Sequence, residues 1–358
     1  MFPKIQSIDD VLPAIEDKKE FVVLRKGGYT AIDYVFQANG TFEDPMHLEC
    51  RGIKFGPDGR IIARPLHKFF NVGEREQLHE VDFSAPHVVT EKLDGSMIHP
   101  AYVGKELRFM TRKGITDVSE RAEADFLRDK VAEACRAVWA EEGTPIFEYT
   151  SPANRIVLRY DEPRLTLLAV RDMVSGVYWP RSACRIVGRT YGIPLVEEHG
   201  AVVDGKSFVA DAKALLGREG YVVRFETGHA LKIKADEYVT KHKALDGLQS
   251  KKSTAAVVLD GLVDDVLPLL SKEDQDDLRQ FSAEVLRQAY DMAEDAHDFT
   301  KRHGHLSRKG FALGPASTLS STAKVLAFMA LDGRDVLSAA KEMLRRNPQQ
   351  IIAKWRGE

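Results

Sequence analysis

The stretch EKLDGSM, residues 91–97, sets a lysine against an Asp-Gly-Ser turn. An amine attacks an electrophile only when deprotonated, and a lysine's reference pKa is about 10.4. Lysine nucleophiles are activated by nearby cations and by loss of solvent, both of which lower that value. A solvated turn with a flanking lysine explains the tetrapeptide just as well, so the remaining chain must decide. Lys232 and Lys234 stand one residue apart in LKIK. On a strand they would share a face, either as an edge charged against aggregation or with an anion held between them. A polyphosphate would also account for Arg51 in ECRGIKF and for RPLHKFFN, where Arg64 and Lys68 accompany Phe69 and Phe70. Taken singly, each of these is a surface charge or a core aromatic. Glu148 falls within FEYTSP, between aromatic residues, where a strand favours an apolar side chain. Glu219 opens EGYVV. Carboxylates so placed hold a ribose or magnesium, or are simply solvated.

These residues need a scaffold. The chain has 358 residues, 44% hydrophobic and 29% charged, enough for two domains with real cores. No apolar run approaches the ~20 residues of a membrane span. MFPKIQSIDD has no signal-peptide core, so an intracellular, cytoplasmic protein is expected. Cys50, Cys135 and Cys184 are scattered without metal or disulfide spacing and are expected to be small buried hydrophobes. A formal charge of −3 requires any nucleic-acid surface to gather its cations on one face.

The first 240 or so residues read as short β-branched and aromatic runs punctuated by Gly and Pro. IKFGPDGRII predicts a hairpin turning at Pro-Asp-Gly, and GYVVRFETGHALKIK another turning at Thr-Gly. One helix is expected to interrupt them over residues 117–143, starting from an Asp or Ser cap, with Phe126, Val131, Ala134 and Val138 at helical spacing. Beyond about residue 245 the pattern is helical throughout, and LDGLQSKKST suits a linker. The fold class expected is α+β: a domain over 1–245 followed by an all-α domain over 246–358.

KLDGS, FEYTSPANRIVLRY, EGYVV and KIKADEYV, in that order, resemble the nucleotidyltransferase motifs of the covalent ligase superfamily. With ECRGIKF and RPLHKFFN they resemble more closely the RNA ligase 1 family typified by the T-even phage enzyme. The match runs from about Tyr34 to Tyr238 and weakens through the helical region. The resemblance implies an adenylation domain of antiparallel sheets with helices. It implies an ATP-dependent ligase that joins RNA 5′-phosphate and 3′-hydroxyl ends through lysyl-AMP on Lys92 and an RNA-adenylate. Asp94 and Gly95 would shape the nucleophile's turn, and Arg51 would contact ribose or phosphate. Glu148 would hold the ribose, Glu219 would act with Mg2+ or Mn2+, and Lys232 and Lys234 would bind the α-phosphate. Tyr34, Lys68 and Lys113 match positions around the nucleotide, and Tyr238 matches an essential tyrosine.

In the helical tail, Asp264 beside Asp265 resembles a metal-binding pair, although helix capping accounts for it equally. Lys301, Arg302, Arg308 and Lys309 would meet the phosphates of an RNA such as a cleaved tRNA anticodon loop. His303 and His305 lack the companions of a metal site. The chain is expected to act as a monomer. A DNA ligase or capping enzyme, which usually carries an OB-fold after the last lysine motif, is one alternative, and a non-catalytic RNA-binding descendant is another. The helical tail argues against the first and the intact motif residues against the second. No GxxxxGK[ST] occurs, so no end-healing kinase is expected.

Overall fold

A computed structural model describes residues 2–356. The chain divides into two compact units, one up to Val239 and one from Thr240. The division precedes the expected boundary because the helix Asp236–Gly247 begins directly after the last lysine strand.

Three sheets build the N-terminal unit. In the first, Phe21–Lys26, Tyr29–Tyr34, Ile53–Phe55 and Ile61–Ala63 pair antiparallel in chain order. The second runs Arg164–Asp172, Gly143–Thr150, Ser96–Val103 and Glu106–Met110, also antiparallel. The third orders Glu198–His199, His87–Glu91, Gly220–Phe225, Ala230–Lys234 and Phe70–Asn71, of which only the last pairs parallel. Both expected hairpins are present, Ile53–Phe55 with Ile61–Ala63 and Gly220–Phe225 with Ala230–Lys234. The second sheet buries Ile98, Phe109, Phe147 and Leu167 against Ala134, Cys135 and Val138 of a covering helix. Each large apolar side chain so buried contributes about 1.5–3 kcal/mol. All three cysteines are free and buried.

The single helix expected over 117–143 is two, Asp117–Phe126 and Asp129–Ala140. The first is capped by Thr116, whose hydroxyl accepts from Ser119 N, and not by an Asp or Ser. Arg128 is extended and caps the second, and Asp129 sits at φ 45°. DFLRDK contains no Gly or Pro to announce the break. Helices Arg181–Tyr191 and Gly205–Lys213 were not expected. Pro180 before the first and left-handed Gly192 after it are the signals that would have shown it.

Arg64, expected near a phosphate, is wholly buried. Its Nε donates to Glu49 Oε2 at 3.0 Å, and Arg171 Nη2 donates to Oε1 of the same carboxylate at 2.6 Å. Burial pushes the Glu49 carboxyl up, but Arg171 and Arg64 outweigh it and hold it below its ordinary value. The network ties the first sheet to the second and commits four of the five N–H donors of Arg64: Nη1 donates to the carbonyls of Met173 and Val174 and Nη2 to that of Pro3.

The described residues of the C-terminal unit form helices only. Its long helix, Lys272–His303, is capped by Ser271 and buries Leu278, Phe281, Val285, Ala289, Ala293 and Ala296. Those intervals of three and four trace one helical face, packed against Ser321–Leu331 and Val336–Arg346. LDGLQSKKST is not a loose linker. Leu248 is buried, Trp355 Nε1 donates to its carbonyl at 2.7 Å, and Ser250 caps the helix Lys251–Leu259. Among the described residues no helix is long and apolar enough to cross a membrane.

Candidate active site

The chain passes from the third sheet to the second at KLDGS, because His87–Glu91 ends just before Lys92 and Ser96–Val103 begins just after Gly95. A cleft of about 240 Å³ opens there. The third sheet contributes Val222, Lys232 and Lys234, the second Met97 and Glu148, and the first Tyr34. Arg51 and Lys68 enter from the loops flanking the first sheet.

Lys92 is fixed at both ends. Its backbone N donates to Gly220 O at 2.9 Å, and its Nζ pairs with Glu219 Oε1 at 2.8 Å. Lys234 Nζ reaches the same Oε1 at 3.0 Å, so one buried carboxylate holds two ammoniums. Gly220 lies at φ +138°, and a Cβ there would stand 2.0 Å from Ile233 O. Only glycine lets the two strands close beneath the lysines. Gly95 is required for a different reason, since a Cβ would meet Tyr149 O at 2.4 Å.

Asp94 lies behind the cleft and positions the turn. Its Oδ2 accepts from Val157 N at 2.8 Å and Leu158 N at 2.6 Å, and its Oδ1 accepts from the Tyr238 hydroxyl at 2.6 Å. Asn154 Nδ2 donates to Ser96 Oγ and Tyr149 O, fastening the other side of the turn. NRIVL and Tyr238 thus hold the turn that follows Lys92. Burial first, then Glu219 and Asp94, pushes the Tyr238 phenol upward and keeps it a neutral donor.

Burial pushes Glu148 up to about 8, with the Glu219 carboxylate adding to it against Lys92 and Arg51. A carboxyl so raised keeps its proton further up the pH scale than an exposed glutamate does, and in that form it donates as well as accepts. Burial, with Lys68, Lys92 and Lys234 close by, pulls Lys232 down to about 8. Lys68 is caged by the rings of Tyr34, Phe42 and Phe70, 5.0–5.4 Å from its Nζ.

Two expected residues stand elsewhere. Lys113 is exposed on the Thr111–Gly114 turn and does not line the cleft. Its neighbour Arg112 lies over the Tyr34 ring at 4.6 Å and pairs with Asp33 at 3.0 Å. Asp264 is exposed in the first turn of the helix Val263–Val266, in the C-terminal unit. Among the described residues, no group of three or more His, Cys, Asp or Glu side chains is placed to hold a metal ion. Thr90, Met97, Leu168, Val222 and Arg224 line the cleft without having been expected. The period-2 pattern of GYVVRF put Val222 and Arg224 on one face and was the available signal.

A lysine amine held among cations in an open cleft of mixed polar and apolar lining is an arrangement suited to covalent attack on a phosphoanhydride. The family model described as RNA ligase matches residues 49–244. This chain belongs to the RNA ligase family. It is 32% identical over 254 residues to a provisionally named RNA ligase of Thermovibrio ammonificans, covering 68% of this chain and 66% of that one. It is 31% identical over 254 residues to RNA ligase 1 of bacteriophage TS2126, covering 63% and 62%. Both alignments span slightly under two thirds of the relatives' own length. Among solved structures, an archaeal ATP-dependent RNA ligase matches 67% of this chain and 64% of its own at TM-score 0.49 and 16% identity.

Proposed function

We propose that this chain is an ATP-dependent RNA ligase joining RNA 5′-phosphate and 3′-hydroxyl ends, with Lys92 as nucleophile. The observation that carries this is the placement of Lys92 Nζ beside Lys234 on one buried carboxylate, Glu219, in a cleft floored by Lys232. The Lys92 amine attacks the ATP α-phosphorus. An N–P bond forms, the bond to the bridging oxygen breaks, and pyrophosphate leaves. The proton lost from nitrogen has Glu219 Oε1 as an acceptor at 2.8 Å. Lys232 and Lys234 lie where charge shifts between phosphates, and such preorganised donors stabilise the transition state. Arg51 and Glu148 line the same cleft and would hold the ribose, and Lys68 holds its charge at the cleft wall on three aromatic rings.

In the second step an oxygen of the RNA 5′-phosphate attacks the same phosphorus and the N–P bond breaks. Lys92 leaves as the amine and regains a proton. A 3′-hydroxyl then attacks the 5′-phosphate, and AMP departs. A divalent cation such as Mg2+ or Mn2+ would be held through one or two carboxylates plus substrate phosphates. Glu219 would hold it, and it would neutralise charge on the departing phosphates.

Incubation with α-labelled ATP and a denaturing gel test this reading. Label bound to the protein, released by an RNA carrying a 5′-phosphate, is the expected result. A protein that stays unlabelled while binding RNA would be the non-catalytic descendant instead.

A further inference from the structure

Arg224 is a cation in the cleft wall that no carboxylate among the described residues balances. The guanidiniums nearest it, Arg171 and Arg181, pair with Glu49 and Glu198. Among the described residues no carboxylate pairs with Arg224, and its Nε is enclosed without a hydrogen-bond partner. It lies over the Tyr178 ring at 4.3 Å, which orients the guanidinium but offers no lone pair in its plane. An enclosed charged donor left unsatisfied is costly to the fold. Its acceptor therefore comes with a ligand.

Its position says which part of the ligand. On Gly220–Phe225, Gly220 pairs with Lys234, Val222 with Lys232 and Arg224 with Ala230. Residues 220, 222 and 224 share one face. At about 3.3 Å per residue, Arg224 stands roughly 13 Å along the floor from the Lys234 end. Phosphates held at Lys92 and Lys234 direct the other end of a nucleotide, its base, along Val222 toward Arg224. Arg224 also walls a second cavity of about 470 Å³, so its side chain is the partition that ends the cleft.

We infer that Arg224 closes the base end of the cleft and donates a hydrogen bond to a ring nitrogen of the purine, as a specificity-determining residue. A guanidinium has donors and no acceptor, so it selects a base edge that presents a lone pair. The inference rests on the ATP reading above.

The test measures competitive binding of ATP and its 1-deaza, 3-deaza and 7-deaza analogues to full-length wild type and Arg224→Met, alongside the rate of labelling at saturating ATP. In wild type, one deaza analogue should bind about tenfold more weakly than ATP, about 1.4 kcal/mol. Arg224→Met should bind ATP about tenfold more weakly and no longer distinguish that analogue. Should Arg224→Met fail to fold, Arg224→Lys serves, with weakened discrimination at the same nitrogen expected. A wild type that binds ATP but takes no label would defeat the ligase reading, whereas the analogue series would still establish the base contact. Arg224 variants that bind ATP as wild type does, or that keep the wild-type ranking of all three analogues, overturn the inference.

Discussion

In the proposed mechanism Lys92 is the nucleophile, and its replacement separates the steps. Lys92→Ala should take no label from α-labelled ATP, yet should still join an RNA already carrying a 5′-adenylate. Covalent labelling of that variant would place the nucleophile elsewhere. Glu148 provides a second test, through pH. Burial raises its carboxyl from an ordinary 4.5 to about 8, so between those values the folded state keeps a proton that the unfolded state has lost. Its contribution to stability therefore falls as pH rises through that window, by up to about 1.4 kcal/mol per unit, and levels off above it. Glu148→Gln cannot titrate, so urea denaturation should show it gaining on wild type from pH 5 to pH 8. An equal difference at both values would mean the carboxyl is ionised in the fold. Lys232 and Lys234 were legible because strand alternation fixes their common face. Arg64 and Lys113 were misplaced because charge in a sequence does not reveal burial, and Arg64 is spent on Glu49.

Among the elements, hairpins were the most legible, since Pro-Asp-Gly and Thr-Gly carry their turn chemistry in the sequence itself. The break between Phe126 and Asp129 was not, because it depends on how two short helices cover the second sheet. The KLDGS turn lies between these cases. Its lysine was visible, but not the carboxylate network that anchors it, whose donors Val157, Leu158 and Tyr238 lie 63 to 144 residues away in the chain. That network makes a coupling prediction. Tyr238→Phe should cost about 1 kcal/mol of stability, the net worth of one hydrogen bond, and should slow label transfer by displacing the turn. Asp94→Ala should cost more, because it strands one buried and one half-buried backbone donor. In the Asp94→Ala background, Tyr238→Phe should add almost nothing. Additive losses would show that the tyrosine acts through Glu219 or through the ring contact with Lys234 at 4.9 Å.

At the scale of the whole chain, the cleft residues all precede Thr240, while the helical unit has its own core around Leu278, Phe281 and Val285. Helical periodicity made that unit readable as helices, but not its task, because a surface cation looks the same whether or not RNA meets it. Of the four cations expected at phosphates, Arg308 is paired with Asp332 and Arg302 Nε donates to Asp298 O at 3.2 Å. Lys301 and Lys309 are exposed. We expect a chain ending at Gly247, the last residue of the helix that crosses the division, to accept label at Lys92. It should lose joining of a cleaved tRNA loop more than joining of generic single strands. In the full chain, Lys301→Ala with Lys309→Ala should weaken RNA binding and flatten its salt dependence by roughly one unit of slope per lost phosphate contact. Arg308→Ala should act mainly on stability, and only slightly, because its pair with Asp332 is exposed. A shortened protein that folds and ranks tRNA against generic strands as the full chain does would make the helical unit a support for the first one, with RNA selection lying entirely at the cleft.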